Sequence, residues 1–221
     1  MKCLFPITKI ISYSFQPIDS KMYVLLKEKS AVIIDPNINF EAEDLLRKEE
    51  VDELIILLTH EHFDHISGVN FFKEKFNCRV IAIEQCANNL INIKKNASAH
   101  FNELIYLAYG VESNEKFGPY ICEADIVFTN EYQFDWRGHN FVIKHTPGHS
   151  EGSVCIILDY IYLFSGDSLI KGKKVITRLP GGSRKEYLVK TLPFLNSLPE
   201  DMIIFPGHGE MGVLSDFMDV K

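Results

Sequence analysis

Three histidines and an aspartate fall within six residues, His60-Glu61-His62-Phe63-Asp64-His65. Imidazole and carboxylate together suit Zn2+, and also Fe or Mn. His60 and His62 stand two apart, so on an extended or turning backbone both rings can approach one ion. Asp64 and His65 follow in the same segment and can address a second. No thiolate joins the cluster, which argues against a closed structural zinc site. Three further candidates stand in short turn-forming loops: His149 in Thr146-Pro147-Gly148-His149-Ser150, Asp167 in Ser165-Gly166-Asp167, and His208 in Pro206-Gly207-His208-Gly209. Each loop ends a β-like run, and glycine lets the backbone turn sharply and approach an ion closely. Alone, Asp167 reads as a turn-forming aspartate; in this company it reads as a ligand. His100, His139 and His145 lack such company and are expected to be surface or hydrogen-bonded residues. Asp35-Pro36 is expected to be a strand-ending turn near the site.

The elements that must position these residues can be read from periodicity. Met22–Leu26 and Ala31–Ile34 are short apolar runs, and Phe40–Glu49 has the spacing of an amphipathic helix. Glu53–Leu58 is almost continuously apolar, as expected for a strand buried on both faces. The His-rich segment follows it at once, before the helical spacing of Ile66–Phe76 and the strand Arg79–Ile83. It is therefore a strand-to-helix loop at the end of a sheet where α/β proteins build their sites. Residues 84–125 are less regular, with helical character at Glu84–Ile93 and Ser98–Tyr109. This region is expected to cover the site and help choose the substrate. Ile126–Phe128, Phe141–Lys144, Ser153–Leu158, Ile161–Phe164 and Met202–Phe205 read as strands, and Arg184–Leu195 as a helix. No linker interrupts the chain, so 1–221 is expected to be a single α/β domain.

Composition narrows the function classes. The 221 residues are 46% hydrophobic, enough for a sizeable core. A net charge of −7 disfavours binding to phosphate backbones, so no nucleic-acid partner is expected. Lys94–Lys95 reads as a solvated turn, whereas Lys171, Lys173 and Lys174 are candidates to meet an anionic substrate. Five widely spaced cysteines, Cys3, Cys78, Cys86, Cys122 and Cys155, form no Cys-x-x-Cys pair and read as buried free thiols. Pro6 and Lys9 interrupt the apolar N-terminal stretch, and no small-residue cleavage site follows. No run reaches membrane-spanning length. A cytoplasmic location without membrane association is expected.

Thr-His-Glu-His-Phe-Asp-His, Thr-Pro-Gly-His-Ser, Phe-Ser-Gly-Asp-Ser and Pro-Gly-His-Gly, in that order, resemble the metallo-β-lactamase superfamily, and within it the glyoxalase II-like (hydroxyacylglutathione hydrolase-like) enzymes. Leu179-Pro180-Gly181-Gly182 adds to the likeness, which runs from about Met22 to His208. The resemblance implies a four-layer αβ/βα sandwich with two divalent metals at one edge of its sheets, Zn2+ foremost, with Fe or Mn served by the same ligands. It implies that His60, His62 and His149 bind one metal, that Asp64, His65 and His208 bind the other, and that Asp167 bridges them. Two departures bear on the substrate. Only thirteen residues follow His208 here, so the C-terminal helical extension of glyoxalase II, which helps bind glutathione, is expected to be missing. Where many relatives have Gly-Arg-x-Asp, this chain has Val175-Ile176-Thr177-Arg178.

The activity implied is hydrolysis of a small-molecule ester or thioester-type carbonyl compound by a metal-bridging hydroxide, with Asp64 and Asp167 orienting it and relaying its proton. Competing readings are an iron-dependent sulfur (persulfide) dioxygenase on the same fold, a lactonase, a phosphodiesterase or nuclease, and a non-catalytic metal-binding protein. The lactonase reading lacks an expected tyrosine soon after Asp167. Tyr106, Tyr109, Tyr120 and Arg178 are candidate substrate contacts. Oligomeric state is not legible in the chain.

Overall fold

Two runs of six strands, one in each half of the chain, build two mixed sheets. A computed structural model describes residues 9–220. Cys3 and the N-terminal stretch read for a signal peptide lie outside them, apart from Lys9. The first sheet takes its strands in chain order: β1 (Lys9–Phe15), β2 (Ser20–Lys27), β3 (Ser30–Ile34), β4 (Glu53–Leu57), β5 (Cys78–Ile83) and β6 (Ile126–Phe128). β1, β2 and β3 are antiparallel, and β3 to β6 are parallel. Parallel neighbours need crossovers. These are supplied by α1 (Phe40–Lys48), by α2 (Phe63–Ile66) with α3 (Val69–Lys75), and by α4 (Glu84–Leu90) followed by a 3-10 turn, Ser98–His100, and α5 (Phe101–Tyr109).

The second sheet is formed by β7 (Glu131–Trp136), β8 (His139–His145), β9 (Val154–Leu158), β10 (Tyr162–Gly166), β11 (Ile203–Pro206) and β12 (Gly212–Val213), in the order 12-11-10-9-8-7. Its one parallel pair, β10 with β11, is joined through α6 (Arg184–Glu186), a π-helical turn at Tyr187–Thr191, and α7 (Leu192–Asn196). A 3-10 helix at Leu214–Val220 follows β12.

Side-chain alternation assigns the layers. On β8 to β11, Phe141, Ile143, Ile156, Phe164 and Phe205 join the large core shared with the first sheet. The intervening Val142, Cys155, Ile157, Leu163 and Ile204 instead pack with Leu195 of α7, and with Leu214 and Phe217. Tyr23 of β2 sits edge-on to Phe164 and Phe205 between the sheets. Leu46, Phe72, Cys86 and Leu90 of α1, α3 and α4 cover the first sheet. The order is helix, sheet, sheet, helix: the α/β four-layer sandwich expected.

Three strands that the sequence reading does not assign, β1, β7 and β12, lie at sheet edges. Glu-Tyr-Gln-Phe-Asp-Trp alternates polar with aromatic residues, the pattern of a half-buried edge strand. Most other elements fall within one to three residues of their expected bounds. The predicted helix Ile66–Phe76 divides into α2 and α3 around Ser67-Gly68. A side chain at position 68 would run into the Asn37 carbonyl after β3, so the chain passes this point as glycine.

Candidate metal centre

The seven candidate ligands come together at one end of the two sheets. All seven are buried. His60 follows β4, His149 follows β8, Asp167 follows β10 and His208 follows β11. His60, His62 and His149 present one nitrogen each within 4.8 Å of one another, and so do one ligand atom each of Asp64, His65 and His208. Asp167 lies between the two groups. Its Oδ2 is 3.5 Å from His149 Nε2 and 3.4 Å from His208 Nε2, and its Oδ1 is 3.5 Å from His65 Nε2.

Backbone carbonyls and one buried carboxylate fix the rings. His149 Nδ1 donates to the Ile176 carbonyl at 2.9 Å, His208 Nδ1 to the Ile18 carbonyl at 3.0 Å, and His62 Nε2 to the Pro180 carbonyl at 3.3 Å. His65 Nδ1 donates to Asp35 Oδ2 at 2.9 Å. Thr59 donates its hydroxyl to Asp35, so its oxygen accepts from His60 Nδ1 at 3.1 Å. Each partner holds one ring nitrogen and leaves the other facing the centre, as metal-ligating histidines require. The inner nitrogens Nε2 of His60 and His65 and the Oδ1 of Asp167 are buried without any hydrogen bond. Buried polar atoms left unpaired cost about 1–3 kcal/mol each. Three such atoms converging among carboxylates and imidazoles fit divalent cations.

Charge separates the two groups. Burial holds the His60 pKa well below its ordinary value and pushes His149 down to about 4, so both rings are neutral at pH 7. Burial also opposes charge on His208 and His65. Asp167 and Asp64 outweigh it, raising His208 to about 10 and His65 well above its usual range. Burial likewise disfavours ionised Asp64 and Asp167, yet the facing histidines hold both carboxyls well below normal.

The supporting residues are partly ones that the sequence did not single out. Asp35 is not merely a turn at the end of β3. It is fully enclosed, and it accepts from the Thr59 amide at 2.7 Å as well as from His65. β3 runs parallel to β4 with Ile34 beside Leu57, which puts Asp35 next to the start of the His-rich loop. Glu61 is also buried, accepting from Ser150 Oγ and from Asn89 Nδ2, both at 2.9 Å. It thus ties the His60–His62 loop to the His149 loop. A Cβ at position 166 would strike Thr59, so glycine at φ +48° lets β10 deliver Asp167 against the His60 loop. The π turn presents Tyr187 against Gly148, while Thr191 Oγ1 donates to the Pro147 carbonyl at 2.6 Å. Such turns recur at functional sites.

The mouth of the centre is apolar. Besides five of the ligands, the cleft is lined by Ile18, Ala97, Phe101, Leu104, Ile105 and Leu179. Residues 97–105 thus lie over the site, as expected of the 84–125 region. They are anchored by a cluster of Phe15, Phe63, Phe101, Phe117 and Tyr120. Several expected contacts fall elsewhere. Tyr120 accepts from the Asn70 amide and packs on Phe63, away from the cleft lining. Tyr106 and Arg178 are exposed and do not line it, although Leu179, next to Arg178, does. The side chain of Tyr109 lies outside the described residues. His145 bonds the Glu151 carbonyl, and His139 is buried between Lys27 and Asp159. Neither joins the centre.

A two-sheet sandwich with a His/Asp cluster at its strand ends defines a metallo-hydrolase scaffold, and comparison with known proteins places it. The Metallo-beta-lactamase superfamily profile matches residues 16–208, and the chain belongs to that superfamily. It is 29% identical over 203 residues to the probable metallo-hydrolase YqgX of Bacillus subtilis, covering 90% of each chain. It is 30% identical over 187 residues to the hydroxyacylglutathione hydrolase GloC of Haemophilus influenzae, covering 82% of this chain and 81% of that one. Among solved structures, the BLEG-1 B3 metallo-beta-lactamase superposes with a TM-score of 0.77 at 33% identity, over 96% of this chain and 97% of that one.

Proposed function

We propose that the protein is a dinuclear metal-dependent hydrolase of ester or thioester-type carbonyl compounds. The observation that carries this reading is the pair of converging ligand groups with a carboxylate between them and inner atoms left without hydrogen bonds. His60 Nε2, His62 Nδ1 and His149 Nε2 would hold one ion. Asp64, His65 Nε2 and His208 Nε2 would hold the other, with Asp167 between them. Two divalent ions held there would supply Lewis acidity and lower the pKa of a bound water toward neutrality. Asp64 and Asp167, the proposed catalytic carboxylates, orient that water and take up its proton. Water adds across the acyl bond: the carbon–oxygen or carbon–sulfur bond breaks, the acyl carbon gains hydroxyl, and the alcohol or thiol leaves with a proton. No serine or cysteine nucleophile is required, and the buried Cys86 and Cys155 thiols are pushed up by burial, away from reactivity.

The completeness of the second group, Asp64, His65 and His208, supports two metals over the single iron of a sulfur dioxygenase. Zn2+ suits these ligands, as do Fe and Mn. The test is elemental analysis of the purified protein with a panel of thioester, lactone and phosphodiester substrates. About two ions per chain with thioester or ester turnover are expected. Oxygen uptake with glutathione persulfide and no hydrolysis would overturn the proposal.

A further inference from the structure

Five acidic residues are buried among the described residues, and four have evident work. Asp64 and Asp167 stand among the candidate ligands, Asp35 holds His65, and Glu43 pairs with Arg47 and Lys75. Glu61 is the fifth. It is fully enclosed, and it is held by two neutral donors rather than by a cation. An enclosed carboxylate without a paired cation is costly, and the hydrolytic chemistry makes no use of this one.

Its surroundings are built to receive it. The acceptor-only group takes one hydrogen bond on each oxygen. Asn89 Nδ2 of α4 donates to Oε1 and Ser150 Oγ to Oε2, both at 2.9 Å. Ser150 is itself fixed by Ser153, whose Oγ accepts from the Ser150 amide at 3.0 Å and lies 2.9 Å from its hydroxyl. A Cβ at position 152 would come within 2.5 Å of Glu61 Oε2, so glycine there leaves the carboxylate its room. Asn89 Nδ2 also reaches Glu151 at 3.3 Å, and Lys95 pairs with Glu151 at 2.9 Å.

The place of Glu61 in the chain gives this network its target. Glu61 stands between His60 and His62, and Ser150 directly follows His149. One carboxylate therefore joins both loops that carry the first ligand group, one after β4 of the first sheet and the other after β8 of the second. The second group has supports of its own, Asp35 for His65 and the Ile18 carbonyl for His208, and neither involves Glu61.

We infer that Glu61 is a positioning residue of the first metal group: its two hydrogen bonds set the spacing of His60 and His62 from His149, and with it the metal affinity of that group alone. This rests on the two-metal reading and adds a division of labour behind the ligands, with Glu61 serving one group and Asp35 the other.

The experiment is stepwise titration of the metal-free full chain with Co2+ and Zn2+, read by cobalt absorption and by competition with a chromogenic chelator. His149→Ala identifies the step that belongs to the first group. Glu61→Ala should weaken that step by about tenfold, the lower range for partners behind metal ligands, and alter the cobalt spectrum of that site, with the second step unchanged. Asn89→Ala keeps the Ser150 bond and should weaken the first step less. Glu61→Gln can keep both bonds once the Ser150 and Ser153 hydroxyls reverse, and should recover most of the affinity. His139→Phe, which breaks the buried set with Lys27 and Asp159, is the control for lost stability and should leave both steps at wild-type values. If Glu61→Ala fails to fold, the first step of Asn89→Ala decides the same question. An unchanged first step, equal weakening of both steps, or Glu61→Gln as weak as Glu61→Ala would overturn the inference and leave the two-metal reading standing. Uptake of a single ion by the wild-type protein would instead overturn that reading itself.

Discussion

Two buried clusters of histidine, aspartate and charge sit at opposite ends of β2, and they differ in one respect that separates chemistry from architecture. At the Ser20 end stand the seven residues of the candidate metal centre. At the Lys27 end, Lys27 Nζ donates to His139 Nε2 at 2.9 Å, and His139 Nδ1 donates to Asp159 Oδ2 at 2.6 Å. Asp159 accepts further from the Asn140 amide, and Trp136 beside them donates to Ser30. Every polar atom named there has a partner, and the set ties the two sheets together. In the candidate metal centre, outward-facing ring nitrogens are all bonded while inner atoms of His60, His65 and Asp167 are left without a hydrogen bond. Residue type alone does not distinguish the two ends. The direction in which hydrogen-bonding capacity is left over does.

That contrast can be broken most severely at His149. His149→Ala should take turnover to background and reduce bound metal from about two ions per chain toward one, while the circular dichroism spectrum stays native. Full activity from a metal-poor His149→Ala protein would remove the basis for the whole assignment. Asp35→Asn acts one bond further out, leaving His65 without the carboxylate that orients it. A loss of roughly 10–100-fold in second-site metal affinity or kcat is expected, the range for such supporting partners, with first-site affinity unchanged in competition titrations.

The Lys27 end predicts the reverse profile. His139→Phe deprives Lys27 and Asp159 of a shared buried partner and should cost about 2–4 kcal/mol in urea unfolding, with kcat and metal content unaffected. Loss of metal in this variant would mean that the two ends are not independent.

The smallest effect distinguishes the two ligand groups from each other. In metal-free protein at pH 7, His60 and His149 are already neutral, whereas His208, with a pKa of about 10, and His65 are protonated. Ligation needs neutral imidazole. Filling the second group therefore releases about two protons, and filling the first about none. Second-site affinity should climb as pH rises toward 10 and weaken as it falls, while first-site affinity stays nearly level above pH 5. Isothermal titration in buffers of different ionisation enthalpy counts these protons; equal release at both steps would contradict the electrostatic asymmetry.

Much of this site is legible in the chain because its ligands are local or punctuated. His60 to His65 stand within one loop, and Gly148, Gly166 and Gly207 flag the others at strand ends. Asp35 and Glu61 were not legible as supporting residues. An aspartate before proline is an ordinary turn, and a glutamate between two histidines is an ordinary solvated residue. Only the parallel pairing of β3 with β4, and the packing of the Ser150 turn onto Glu61, bury them. Tyr120 misled for the opposite reason: an aromatic in the covering region can face the cleft or anchor its support, and spacing does not say which.

The sequence by itself determined the candidate ligand types, the order of most strands and loops, and the family resemblance, because these depend on residue chemistry and periodicity along the chain. The tertiary structure alone decided which nitrogen of each histidine faces inward, which carboxylate stands between the two groups, and which histidines, such as His139, are spent on architecture. Those outcomes depend on hydrogen bonds to carbonyls and carboxylates contributed by residues as far apart as Ile18 and His208. Such pairings exist only once both sheets are packed.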